Sequence, residues 1–291
     1  MKSPRISIVE YLNTAPLVRG FTHGPLHGKY ELSFTVPSQC AEALRRGEVD
    51  IAIIPAIEYQ RTGGLVMLPE LCIASKRTVR SLLLIAKMPL RDVKRIALDR
   101  SSRSTQALAR ILCDKHWKIA PQFFEAEPDL EAMLERADAA LLIGDPALRV
   151  ALTSVAELQR TVGRLQIYDI VEEWRAMTEL PAVLAVWAGR PDALTKEVAE
   201  DFETSLTFGM EHVDEISAEA AVDMKVPAAE LRRYLTENID YRLDAENLRG
   251  LRRYYECAAE LGLIDRVKEI VMAGEPVHLE QQAELSASRH R

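Results

Sequence analysis

PSQCAEALRRGEVDIAIIP, residues 37–55, holds one complete unit of the architecture. Ser38 is a good N-cap, Ala41 and Leu44 share a helical face, Gly47 supplies the stop, and DIAIIP (50–55) follows as an apolar run. A short amphipathic helix feeding a strand rich in branched residues is how a sheet with covering helices looks in sequence.

The plan recurs on both sides of that unit. Strands are expected at 6–11, 31–36, 81–86, 95–99, 122–126, 139–145 and 181–188. SRSTQALARILCDKHW turns Leu108, Ile111 and Leu112 inward, and DLEAMLERADAALLIGD repeats the helix-to-strand order. The class is α/β. After residue 190 strand patterns stop and long helices take over, one of them placing Leu248, Leu251, Tyr255 and Ala258 on one stripe. Met88-Pro89 interrupts an apolar run, and the chain is expected to return near Thr178 to Pro181. That double crossing gives one discontinuous lobe (1–87 and 179–275), a second lobe (88–178) and a loose tail (276–291).

Composition limits the function. With 291 residues, 48% apolar and 28% charged, the chain is long enough for a substantial core and two lobes. A net charge of -7 argues against a nucleic-acid binder and leaves any anion site local. No apolar run approaches the roughly 20 residues of a membrane span, and the start MKSPRISIVEY lacks a signal-peptide core, so a cytoplasmic protein without membrane partners is expected. Cys40, Cys72, Cys113 and Cys257 lie far apart and read as reduced core thiols.

Ligands in open α/β sheets sit beyond the carboxyl ends of strands, so four loops carry the candidate chemistry. In YLNTAPL, Asn13 either presents an amide to a cleft or makes an Asx turn ahead of Pro16. In TVRSLLLIA, Ser81 opens an apolar strand as a hydroxyl donor or as a plain strand-edge residue. LDRSSRSTQAL runs from a strand into a helix start, where Ser104 and Thr105 suit a carboxylate or phosphate and Ser102 or Ser104 serves equally as an N-cap. In LLIGDPAL, Gly144 permits close backbone approach, and Asp145 either faces a ligand or caps the helix before Pro146. The usual serine-hydrolase, zincin and dinucleotide motifs are missing, and His23 and His27 fall in a glycine-rich loop poorly suited to hold a metal.

Taken in order, YLNTAPL, GEVDIAIIP, TVRSLLLIA, LDRSSRSTQAL, LLIGDPAL, YDIVEEWRAMTELPAVLAVWA and NIDYRLDAENLRGLRRYYECAAELGLI resemble the chorismate dehydratases of the futalosine route to menaquinone. The resemblance spans nearly residues 5–265. It implies a two-lobed α/β fold like the type II periplasmic binding proteins, with a ligand cleft between the lobes. It also implies a cofactor-free loss of water from chorismate, a small dicarboxylate, with Asn13 and Ser81 in the catalytic positions. Tyr11, Ser38, Arg80, Ser104, Thr105, Gln106, Gly144 and Asp145 are the candidate substrate-binding residues around them. A non-catalytic solute-binding protein of the same fold, the sister enzyme acting on a cyclic futalosine-type substrate, and a ligand-sensing domain are the rival readings. The first predicts an export signal or lipid-anchor cysteine, the second lacks the asparagine turn, and the third calls for a DNA-binding helix pair.

Overall fold

A computed structural model describes residues 3–153 and 165–274, so the expected tail at 276–291 lies outside the described residues. Its strands are β1 (Arg5–Val9), β2 (Glu31–Thr35), β3 (Ile51–Pro55), β4 (Val66–Ser75), β5 (Leu82–Ala86), β6 (Arg95–Asp99), β7 (Gln122–Ala126), β8 (Ala139–Ile143), β9 (Gln166–Asp169), β10 (Ala182–Gly189) and β11 (Asp240–Arg242). Six of them form one mixed sheet in the order β11-β4-β10-β3-β1-β2, and five form a second in the order β7-β6-β8-β5-β9. The β3 strand, read from DIAIIP, is buried at every position and pairs parallel with β1 and antiparallel with β10. All four cysteines are buried free thiols.

Every strand expected from the sequence is present, with its ends shifted slightly, but β4, β9 and β11 were not legible. β4 carries Pro69 and Glu70, the latter at φ 65, and its pairing with β10 shifts register twice, so its apolar pattern is broken. β9 is a short and mostly exposed edge strand. β11 spans three residues among helices and corrects the expectation that strands stop after 190.

The lobe limit expected at residue 87 is also corrected. β5 pairs with β8 and β9 in the second sheet, which places the crossing between Ser75 and Leu82. The Met88-Pro89 interruption is a loop within that sheet's connections, leading to the short helix Leu90–Asp92 and then β6.

The turn after β1 is clamped from behind. Helix Lys196–Glu211 lies on helix Ala15–Thr22 at backbone contact, so that a β-carbon on Gly209 would sit 1.9 Å from the Pro16 carbonyl oxygen. Ser205 Oγ donates to the Leu17 carbonyl at 2.8 Å in the same contact.

Candidate active site

Asn13 lies in the short 3-10 helix Leu12–Thr14. The cap positions of that turn and of the helix after it are Tyr11 and Thr14, neither of which caps with its side chain. Its Oδ1 accepts from the Thr14 hydroxyl at 3.3 Å, which leaves the amide N–H groups as its donors.

Ser81 reaches the same place from the second sheet. The residues before it are pinned by Asp169, whose carboxylate accepts from the Thr78 hydroxyl at 2.8 Å, Val79 N–H at 2.9 Å and Arg80 N–H at 2.7 Å. Its other oxygen accepts from Val171 and Glu172 N–H groups at the start of helix Ile170–Thr178. Arg80 is held at φ 61, a left-handed conformation that costs a non-glycine residue about 1 kcal/mol or more. Ser81 itself is buried, and Tyr234 O–H donates to its Oγ at 2.8 Å. Burial pushes the Tyr234 phenol above its ordinary range, while hydrogen bonding with Ser81 and Asn13 acts the other way.

The helix Ser104–Leu112 presents its first turn to both residues' surroundings. Ser102 Oγ accepts from Thr105 N–H at 3.2 Å, the capping role that the sequence allowed. Ser104 Oγ instead accepts from Ile57 N–H at 3.1 Å, tying this helix to the segment after β3. Thr105 is buried, and its hydroxyl makes no hydrogen bond among the described residues.

Opposite this helix, Gly144 has φ +62 and presses on Tyr11, leaving no room for a side chain. Asp145 does not cap its own helix; its carboxylate accepts from Leu12 N–H at 3.0 Å, across the two sheets' connections. Burial pushes this carboxyl above the usual carboxylate range, opposed by that hydrogen bond and by Arg149. Tyr11 is pushed up to about 12, chiefly by burial, and its hydroxyl shares a 3.2 Å hydrogen bond with Ser101 Oγ.

These groups surround a small cavity of about 60 Å³, below the roughly 300–1,000 Å³ of ordinary small-molecule sites. Tyr11, Asn13, Ser81, Ser104, Thr105 and Gly144 line it together with Ser102 and apolar residues of both sheets. Among the described residues its lining includes no carboxylate, imidazole, amine or guanidinium. Tyr11 also borders a larger opening that contains Ser38, Gln106 and the arginines Arg61, Arg100, Arg103 and Arg110. Here Gln106 donates to the Asp99 carbonyl at 2.9 Å. Ser38 is not the N-cap expected of it: Pro37 opens the helix, Val36 flanks it, and Ser38 N–H donates to the Ser101 carbonyl at 3.2 Å. Arg80 is directed away from the cavity lining, with its guanidinium on Glu230 at 3.2 Å.

A family described as menaquinone biosynthesis matches residues 4–260. The chain belongs to this family. It is 28% identical over 264 residues to the chorismate dehydratase of Thermus thermophilus, an alignment covering 86% of this chain and 93% of that relative. Among solved structures, a protein from Archaeoglobus fulgidus is 22% identical with a TM-score of 0.71, covering 90% of this chain and 98% of that one. The periplasmic aliphatic sulphonate binding protein of Escherichia coli is 18% identical with a TM-score of 0.61, covering 91% and 94%. A Candida albicans protein described as having the generic periplasmic binding protein fold is 14% identical with a TM-score of 0.64, covering 96% and 100%. The two-lobed periplasmic-binding-protein architecture is therefore that of this menaquinone biosynthesis family member.

Sequence reasoning missed three residues of this family member's cavity region. Ser101 and Ser102 stand in the quoted hydroxyl-rich loop, and their multiplicity was the available signal. Tyr234 gave none, because AAELRRYLTEN reads as an ordinary amphipathic helix and nothing local connects it to Ser81.

Proposed function

We propose that the chain is a chorismate dehydratase, a carbon-oxygen lyase that removes water from chorismate to give 3-[(1-carboxyvinyl)oxy]benzoate. The observation that carries this reading is the convergence of Asn13 and Ser81 from the two sheets onto one cavity, with no protein base among its described lining residues. The 28% identical chorismate dehydratase supports the choice of substrate.

In the proposed reaction the C3–H bond breaks, its electron pair forms the C3–C4 double bond, and the C4–O bond breaks. Aromatisation supplies the drive, so catalysis consists mainly of holding one conformer and directing proton and hydroxyl transfer. An amide is no proton acceptor near neutral pH, and Asp145 is engaged by Leu12 N–H outside the cavity lining. The substrate's own enolpyruvyl carboxylate therefore takes the C3 proton, which leaves with the C4 hydroxyl as water. Asn13 donates to a carboxylate or to the departing hydroxyl, and Ser81 donates beside it. The unpartnered Thr105 hydroxyl and the first turn of helix Ser104–Leu112 suit a substrate carboxylate.

The two lobes, one built on each sheet, open and close about the crossings to admit chorismate in this proposal. The hydrogen bonds from Leu12 to Asp145 and between Tyr11 and Ser101 are contacts that such a movement would break. Incubating the protein with chorismate and measuring product mass tests the reading. Loss of one water supports it, whereas binding without turnover returns the chain to a solute-binding role.

A further inference from the structure

Buried tyrosines normally satisfy their hydroxyls on fixed backbone acceptors, and two neighbours in this fold do so. Tyr254 donates to the Ser104 carbonyl at 3.0 Å and Tyr255 to the Ala56 carbonyl at 2.8 Å. Tyr234 differs. Its hydroxyl donates to another hydroxyl, Ser81 Oγ, which lines the cavity and would otherwise be free to rotate. Tyr234 also opens a π-helical turn, Tyr234–Asn238, a rare geometry concentrated at functional sites.

The hydrogen bonds run in one sense. Asn13 Oδ1 is taken by the Thr14 hydroxyl. Tyr234 donates to Ser81, and Ser81 has its own proton left over. With an acceptor position of Oγ occupied, the serine O–H is turned away from Tyr234. The open space on that side is the cavity.

We propose that Tyr234 is a positioning residue for the dehydration, holding Ser81 so that the serine proton points into the cavity at the departing C4 hydroxyl of chorismate. This rests on the chorismate reading of the same cavity. Tyr234 touches no substrate atom; it acts through Ser81. Correct direction of one donor matters because catalysis by positioning is sensitive to small misalignments, and donors aimed at developing charge act mainly on turnover.

Steady-state kinetics with chorismate on wild type, Tyr234→Phe, Ser81→Ala and the double variant test this. Tyr234→Phe is expected to lower kcat about 10- to 100-fold with KM changed less than about twofold. The double variant should be no slower than Ser81→Ala, because the one bond that the Tyr234 hydroxyl donates runs to Ser81. Tyr241→Phe is the control, since that buried hydroxyl has no partner among the described residues and its loss should leave kcat unchanged. If Tyr234→Phe fails to fold, the double variant still decides, because it removes both hydrogen-bonding groups together and leaves neither stranded. A wild-type kcat in Tyr234→Phe, or a double variant about tenfold slower than Ser81→Ala, overturns the positioning role while leaving the dehydratase reading intact. Wild-type protein that does not convert chorismate overturns both.

Discussion

The ring of Tyr11 packs so tightly on Gly144 that a β-carbon there would lie 2.7 Å from its Cδ2 and Cε2 atoms. The contact joins the turn after β1 to the start of helix Gly144–Leu152 after β8, one from each sheet, and forms one wall of the cavity. A Gly144→Ala variant meets two penalties, the left-handed φ of +62 and the collision with the ring. Destabilisation of about 1–3 kcal/mol is expected from overpacking and backbone strain together, with reduced turnover of chorismate. Denaturant melts measure the first and steady-state rates the second. Adding Tyr11→Ala should recover part of the lost stability by relieving the collision; full additivity of the two losses would show that the ring contact is not the cause.

Asn13 separates orientation from base catalysis. Asn13→Ala removes the amide, and Asn13→Asp exchanges its N–H donors for a negative charge. In a cavity with no cation among its described lining residues, that charge repels a dianionic substrate with little screening. Asn13→Asp is therefore expected to be at least as damaging to turnover as Asn13→Ala, with thermal stability little changed in either. An active aspartate variant would instead assign proton removal to position 13.

Why Asn13 and Ser81 were legible while Tyr234 was not follows from where each residue sits. Asn13 follows the carboxyl end of β1, where the fold class itself says to look, and Ser81 stands out as a polar residue opening the apolar strand β5. Gly144 was legible for a similar reason, since its left-handed φ lies at a strand-to-helix turn. Tyr234 reaches Ser81 across 153 residues, and only tertiary packing makes that pairing. The same applies to Arg80, a candidate substrate-binding residue beside Ser81 whose side chain is taken by Glu230, 150 residues away. β4 was hidden by Pro69 and Glu70 within the strand, and the sheet crossing was hidden with it.

Asp145 gives a pH-dependent test of how the turn after β1 is held. Its folded-state pKa is raised, chiefly by burial, so the native state binds the proton more tightly than the unfolded chain does. Stability contributed by such a group is present below the unfolded pKa, about 3.9, and is lost as pH rises through the folded value. Asp145→Asn keeps an oxygen for Leu12 N–H and removes the buried charge. Its thermal midpoint should therefore gain on wild type as pH increases from about 4 to 7. A gap that closes over that interval would contradict the assigned cause.

The most direct measurement is proton NMR of chorismate incubated with the purified protein, without added metal or nucleotide. The expected spectrum has a new aromatic ring with the enolpyruvyl methylene signals retained, matching 3-[(1-carboxyvinyl)oxy]benzoate. Unreacted chorismate in the presence of folded protein, or an aromatic product accompanied by free pyruvate, would contradict it.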